Sequence, residues 1–168
     1  MKAERDPFKN PFPAQDSDRR QIWDMLVTRD IDAFVAADWR AVAGDFIEPG
    51  FMGLNGHFQA DPQLYTLAFP TLSDYRETWL SQAREFGVQL ADGAFVGNPR
   101  DGIFHATRLE EIEITADAAL VRKKFDGRLA RTDGSFERMN WQTLYICRRD
   151  NARWKIAGFV GYLPHIKE

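Results

Sequence analysis

The first half of the chain has the hydrophobic periodicity of helices. Apolar residues recur at every third or fourth position over residues 18–37, which predicts a helix with one buried stripe. A second long helix is predicted to begin after Thr71, because Thr71 and Asp74 have the spacing of a capping box. We expect this helix to end at Gly87, since glycine commonly terminates helices.

The second half has the alternation of strands. Apolar and polar residues alternate in four long segments separated by short polar turns, namely residues 104–115, 118–129, 135–148 and 153–163. The remaining predicted elements are a short helix over residues 39–45, a short strand over residues 51–55 and a loop over residues 93–102. Short turns between long strands indicate an antiparallel meander, and helices followed by strands indicate an α+β fold.

The length of 168 residues suits one hydrophobic core. We therefore expect a single domain over residues 16–168. Residues 1–15 contain three prolines and no apolar run, so they are predicted to form an extended arm whose Phe8 and Phe12 dock on a neighbouring surface. The single cysteine, Cys147, excludes an intrachain disulfide.

Composition also argues against two classes of partner. No apolar run approaches the roughly 20 residues that a membrane span needs, and the polar amino terminus lacks the features of a secretory signal. A cytoplasmic protein with no membrane partner is therefore expected. The net charge of −3 argues against a nucleic-acid binder, which usually has a strongly basic surface.

The charge is unevenly distributed between the two halves. Residues 118–168 carry a formal charge of +6, and residues 1–117 carry −9. Basic side chains cluster on one predicted hairpin, at Arg122, Lys123, Lys124, Arg128 and Arg131. Because unpaired lysines are rarely buried, a solvated strand face is the simpler interpretation, and a site for an anionic ligand is the alternative.

Three stretches resemble the nuclear transport factor 2-like superfamily. They are residues 112–121, the turn at residues 132–134 and the Trp-Lys-Ile-Ala-Gly sequence at residues 154–158. The resemblance implies an α+β fold in which a curved antiparallel sheet wraps around a long N-terminal helix and encloses a cone-shaped cavity. It also implies a homodimer through the outer face of the sheet. Because one fold hosts many chemistries, it implies no particular reaction.

Asp30 is the first candidate catalytic residue. On a helical wheel it lies between Val27 and Phe34, at the centre of the apolar stripe. Because an unpaired ionised carboxylate is costly to bury there, Asp30 must be paired, protonated or beside a wet cavity. Beside a cavity it would suit general acid or base catalysis. His105 is the second candidate and stands at the start of the strand predicted over residues 104–115. The resemblance to scytalone dehydratase and to SnoaL-like cyclases implies a cavity histidine at this position.

The strand predicted over residues 135–148 supplies candidate ligand-binding residues. We expect its even positions to face the cavity, because they include the apolar residues Leu144 and Ile146. The polar residues on the same face are Arg138, Asn140 and Gln142. Arg138 would then be able to neutralise Asp30. The odd positions are expected to form the dimer interface, through Met139, Trp141 and Tyr145. A bulge in the strand would reverse this assignment.

Three further residues are candidates for ligand binding. Asn55 would hold a substrate oxygen, and His57 and Tyr162 are expected near the cavity mouth. The three histidines are too far apart in the sequence to indicate a metal site, and no nucleotide-binding or phosphate-binding motif is present. We therefore expect neither a metal nor a cofactor.

Family enzymes whose catalytic residues are known differ from this chain at those positions. The resemblance to ketosteroid isomerase places its catalytic carboxylate near Asn55, where this chain has no acid. Three hypotheses therefore stay open. The first is a cofactor-free lyase, isomerase or cyclase that moves a proton on a small apolar carbonyl or hydroxy compound. The second is a small-ligand-binding module without chemistry. The third is an accessory or structural subunit of a larger enzyme.

Overall fold

The computed structural model describes residues 4–165 of the chain. Helices lie in the first two thirds, with bounds α1 Ser17–Trp23, α2 Asp30–Val35, α3 Leu72–Ala91 and α4 Pro99–Ala106. Three short 3₁₀ helices cover Trp39–Ala41, Ala43–Asp45 and Pro62–Leu64. Six strands complete the fold: β1 Met52–Asn55, β2 Thr66–Phe69, β3 Thr107–Thr115, β4 Ala118–Ala130, β5 Phe136–Asp150 and β6 Arg153–Leu163. The α+β prediction is confirmed.

The first helix is continuous from α1 to α2 but changes type in the middle. Asp16 caps it by accepting a hydrogen bond from the Arg19 amide. The segment Asp24–Arg29, between α1 and α2, is π-helical. A π-helix has more residues per turn than an α-helix, so this segment rotates α2 relative to α1. Asp30 is the first residue after the rotation.

The capping box predicted for α3 is present. The Thr71 hydroxyl accepts from the Asp74 amide, and the Asp74 carboxylate accepts from the Thr71 amide. The predicted end at Gly87 is wrong, because the helix continues to Ala91. Leu90 of the extra turn packs against the core, which explains why the helix passes through the glycine.

The predicted loop over residues 93–102 is partly helical. Asn98 caps α4 by accepting from the Arg100 amide, and Pro99 occupies the first helical position, where its missing N–H costs nothing. Helix α4 therefore includes the residues up to Ala106, and the strand predicted to begin at residue 104 begins at Thr107.

The six strands form one sheet in the order β2-β1-β6-β5-β4-β3. The predicted meander of four antiparallel strands is β3 to β6. Strand β1 extends it by pairing parallel with β6, and β2, which the hydrophobic pattern did not predict, pairs antiparallel with β1. The first helix, α3 and α4 pack against one side of this sheet.

Residues before the first helix contact the domain. Arg5 donates hydrogen bonds to the carbonyl oxygens of Thr107 and His105, and the Phe8 ring lies 5.2 Å from that of Phe104, centroid to centroid. Phe12 packs against the main core. Both aromatic residues of the predicted arm therefore contact their own chain.

Candidate functional site

A pocket of about 490 Å³ lies between the sheet and the helices. Many of its wall residues are aromatic; they include Phe34, Phe69, Trp79, Phe86, Phe125 and Trp141. The inward side chains of β4 and β5 form one wall, and α2 and α3 form the opposite one. Apolar walls with a few polar groups are typical of small-molecule sites.

Asp30 and Lys123 form an ion pair in the pocket wall. The Lys123 ammonium donates a hydrogen bond of 2.8 Å to the Asp30 carboxylate and lies 5.2 Å from the centre of the Phe125 ring. The Lys123 side chain is 1% exposed, whereas the Asp30 side chain is 30% exposed. A molecule entering the pocket therefore meets the carboxylate and not the ammonium.

A second ion pair, with a buried carboxylate, fixes the helix just before Asp30. Asp45 is 1% exposed and accepts two hydrogen bonds from the Arg29 guanidinium, at 2.7 and 2.8 Å, and a third from Arg153. These bonds with Asp45 raise the pKa of Arg29 above its ordinary value. Because Arg29 is the last π-helical residue, its anchoring fixes the direction in which the next side chain points.

Two tyrosine hydroxyls in the pocket wall are held in their protonated form. Burial, and then the negative charge of Asp30, raise the pKa of the Tyr75 phenol well above its usual value. The same two causes, in the same order, raise the pKa of Tyr145. Both phenols are therefore hydrogen-bond donors at any pH near neutrality.

The polar end of the pocket carries negative charge. Glu85 of α3 and Glu137 of β5 line the pocket and are solvent-exposed, so they mark its mouth. Glu137 pairs with Arg131 at 3.3 Å, and the same Arg131 nitrogen donates to Gln89. Glu85 has no ion pair within the part of the chain that the structure describes.

Comparison with solved structures identifies the architecture. A nuclear transport factor 2-like superfamily protein from Salmonella enterica serovar Typhimurium is 14% identical, with a TM-score of 0.53 over 88% of this chain and 91% of that one. A nuclear transport factor 2-like protein of unknown function from Methylobacillus flagellatus is also 14% identical, with a TM-score of 0.53 over 93% and 97%. The chain has the nuclear transport factor 2-like fold.

A conserved protein from Planctomyces limnophilus is similar to the same extent, at 15% identity and a TM-score of 0.53 over 87% of this chain and 94% of that one. No protein-family model and no curated protein sequence matches the chain. Identities this low show a shared fold, and a fold hosts unrelated chemistries. The nuclear transport factor 2-like fold therefore gives the pocket its position, and the residues in the pocket must indicate what it does.

The predicted faces of β5 are reversed. Met139, Trp141, Thr143 and Tyr145 line the pocket, and the even residues Arg138, Asn140, Gln142, Leu144 and Ile146 do not. The β4–β5 pairing runs without a register shift, and the two register shifts of the β5–β6 pairing place the extra residues in β6, so a bulge in β5 is not the cause. Leu144 and Ile146 are apolar but lie on the outer face, where Ile146 is 45% exposed, so their hydrophobicity does not indicate the inward face. The residues predicted for the dimer interface are therefore pocket residues.

His105 lies apart from Asp30. It belongs to the last turn of α4 rather than to β3, is exposed, and its ring contacts Phe8 edge-on at 5.5 Å. The expectation that it shares the cavity with Asp30 is wrong, because the helix begun by Pro99 ends one residue beyond it.

Two of the three further candidates, Asn55 and His57, lie at the end of β1. The Asn55 side chain accepts from the His57 amide, and the His57 ring hydrogen-bonds to the Thr66 hydroxyl at 2.8 Å. Neither residue lines the pocket. Tyr162 does line it, in contact with the ring of Trp141 at 5.7 Å.

The sequence interpretation missed Lys123, Tyr75 and Tyr145 as functional candidates. Lys123 was assigned to a solvated strand face together with its basic neighbours. The alternation of side chains along a strand distinguishes Lys123 from its basic neighbours. Lys123 lies two residues from both Val121 and Phe125, on the buried face of β4. Arg138, the expected partner of Asp30, lies on the opposite face of the sheet.

Two absences apply to residues 4–165. No helix in that range is long and apolar enough to cross a membrane. The described residues also contain no group of three or more His, Cys, Asp or Glu side chains placed to hold a metal ion.

Proposed function

We propose that the pocket binds a small, largely apolar molecule whose polar group hydrogen-bonds to the Asp30 carboxylate. The observation that carries the proposal is the partly open ion pair in a largely apolar wall. A volume of about 490 Å³ falls within the roughly 300–1,000 Å³ typical of small-molecule pockets. The apolar walls supply affinity, and the ion pair sets the orientation of the ligand.

The open pocket also separates this proposal from a purely accessory role. An accessory subunit has no need of an internal cavity, and filling one with side chains stabilises a protein. This chain instead keeps a cavity and places an ion pair in its wall, at a desolvation cost that ligand binding would justify.

Calorimetric titration with 2-naphthylmethanol, an apolar molecule with one hydroxyl, tests the proposal. We expect binding by the natural chain and its loss in Met139→Trp, which fills the pocket from β5. Ile146→Trp is the matched control, because it adds the same side chain to the outer face of the same strand. Thermal unfolding confirms that both variants are folded. Unaltered binding by Met139→Trp contradicts the proposal.

Proton transfer is a second candidate function, favoured by the surroundings of Asp30. Its carboxylate is accessible from the pocket, and the protonated phenols of Tyr75 and Tyr145 line the same pocket. With a bound ketone, the Asp30 carboxylate would take the α-proton, and the phenol of Tyr75 or Tyr145 would donate a hydrogen bond to the enolate oxygen. If the ketone is β,γ-unsaturated, returning the proton to the γ-carbon of the dienolate moves the double bond and isomerises the molecule.

Isotope exchange distinguishes proton transfer from binding alone. Incubation of 2-tetralone in D₂O with the protein is expected to exchange α-hydrogen for deuterium faster than buffer does, as followed by NMR. The Asp30→Asn, Lys123→Met double variant lacks the base without leaving an unpaired buried ammonium, and we expect it to exchange at the buffer rate. Equal rates for the natural chain and buffer would leave a binding pocket without this activity.

A further inference from the structure

We infer that the preferred ligand is a protonated amine on an apolar or aromatic body, and that the pocket rejects anions. This inference rests on the proposed function, since it assigns a ligand class to the same pocket. Three observations support it: the unequal burial of the ion pair, the acidic lining and the aromatic walls.

The unequal burial decides which charge a ligand meets. The Lys123 ammonium is enclosed between the Asp30 carboxylate and the Phe125 ring, and its side chain is 1% exposed. The Asp30 side chain is 30% exposed and, among the described residues, has Lys123 as its hydrogen-bond partner. A carboxylate is an acceptor only, so it receives a donor group from the ligand and disfavours another carboxylate.

The other charged lining residues have the same sign. Asp30, Glu85 and Glu137 line the pocket, and Lys123 is the one basic side chain that does so within residues 4–165. Arg131 partly neutralises Glu137 but does not line the pocket, because its guanidinium lies over the Phe95 ring at 5.0 Å. Glu85 has no ion-pair partner within residues 4–165, and at the mouth it would attract a cation before the cation enters.

The basic cluster of the β4 hairpin does not alter this sign. Arg122 and Lys124 lie on the outer face of the sheet, where both pair with Glu111. Arg128 is also on the outer face, with its guanidinium 4.1 Å from the centre of the Phe136 ring. The interpretation of this cluster as a site for an anionic ligand is therefore not supported in the pocket.

The walls suit a cation as well as an apolar body. Tryptophan and tyrosine rings attract ammonium groups through the negative potential of their faces, most strongly where water is excluded. Trp79, Trp141, Tyr75 and Tyr145 all line the pocket. A protonated amine beside Asp30 would thus gain a charge-assisted hydrogen bond and contacts with aromatic faces.

Three probes of nearly one shape test the inference by calorimetry at neutral pH: 2-naphthylmethylamine, 2-naphthylmethanol and 2-naphthoate. We expect the amine to bind about tenfold more tightly than the alcohol, and the carboxylate to bind about tenfold more weakly than the alcohol. Equal affinities, or tightest binding of the carboxylate, overturn the inference while leaving the proposed binding function intact. Failure of all three to bind overturns both.

A pair of variants on α3 tests the electrostatic cause without disturbing the ion pair. Glu85→Gln removes the unpaired lining charge, and Glu77→Gln removes an exposed charge of the same helix that does not line the pocket. We expect Glu85→Gln to weaken amine binding about two- to fivefold more than alcohol binding, and Glu77→Gln to change neither. An equal loss for amine and alcohol in Glu85→Gln contradicts the electrostatic cause.

Discussion

Lys123 and Asp30 form an ion pair whose two members are unequally buried, at 1% and 30% side-chain exposure. Loss of Asp30 and loss of Lys123 should therefore destabilise the fold to different extents. Removing the carboxylate leaves a charge enclosed by protein, whereas removing the ammonium leaves a charge that the pocket can solvate. This asymmetry connects the stability of the fold to the pocket and can be measured without knowledge of the ligand.

We expect Asp30→Asn to lower the free energy of unfolding by about 3–5 kcal/mol, because an unpaired buried ammonium remains. Lys123→Met should cost less, about 1–3 kcal/mol, since Asp30 keeps access to water in the pocket. The double variant should be more stable than Asp30→Asn alone. Urea unfolding of the four proteins gives the coupling free energy. A larger loss of stability for Lys123→Met than for Asp30→Asn would show that the carboxylate, and not the ammonium, is the more buried member of the pair.

Stability should also fall in mild alkali because of Cys147. Burial raises the pKa of its thiol from 9.0 to about 12. Above pH 9 the unfolded chain loses this proton while the native chain keeps it, so the contribution is fully present below pH 9 and is lost as pH rises towards 12. We expect unfolding free energies measured by urea at pH 8–10 to decline towards a slope of about 1.4 kcal/mol per pH unit.

Cys147→Ala is the control for this slope. The alanine variant creates a small cavity and lowers stability at every pH, but it has no thiol to titrate. The decline between pH 9 and 10 should become much shallower in the variant. Above pH 10 both proteins should lose stability, because the buried phenols of Tyr75 and Tyr145 also have raised pKa values. An unchanged slope in the variant would assign the decline to another group.

Two glycines should respond in opposite directions to replacement by alanine. A Cβ at Gly87, within α3, meets nothing within 4 Å, so Gly87→Ala should stabilise by about 0.5–1 kcal/mol through helix propensity. A Cβ at Gly158 would lie 2.6 Å from the carbonyl oxygen of Met52, where the parallel β1 strand lies against β6. Gly158→Ala should therefore destabilise by about 1–3 kcal/mol. Thermal unfolding checks both, and destabilisation by Gly87→Ala would contradict the assignment of an unstrained helical glycine.

These examples show which features the sequence could predict. Local hydrogen-bonding signals, such as the capping box of Thr71 and Asp74, and the alternation of the four long strands were sufficient for the element types. The parallel contact of β1 with β6 depends on residues about 100 positions apart, and nothing local indicates it. The end of α3 was mispredicted because tertiary packing of Leu90 outweighs the local preference of Gly87 to terminate a helix.

The candidate site was predicted less well for a physical reason. The sequence identifies Asp30 because burying a carboxylate in an apolar helical stripe costs free energy however the helix is rotated. The sequence does not identify the inward face of β5, because both faces carry apolar residues and a shift of one residue exchanges them. The predicted partner of Asp30 depends on which face of β5 points inward. With the faces reversed, Arg138 is predicted to pair with Asp30, whereas in the structure Lys123 does so.

The reversed faces of β5 can be tested by thiol labelling in the Cys147→Ala background. Arg138→Cys places a thiol on the exposed outer face, whereas Met139→Cys places one in the pocket wall, where the native side chain is 8% exposed. We expect a maleimide to label the residue 138 thiol at least about tenfold faster, since reaction requires an accessible thiolate. Addition of 2-naphthylmethanol should slow labelling at residue 139 further and leave residue 138 unaffected. Faster labelling at residue 139 would restore the predicted orientation, turn Met139, Trp141 and Tyr145 outward, and remove the aromatic wall on which the proposed ligand class depends.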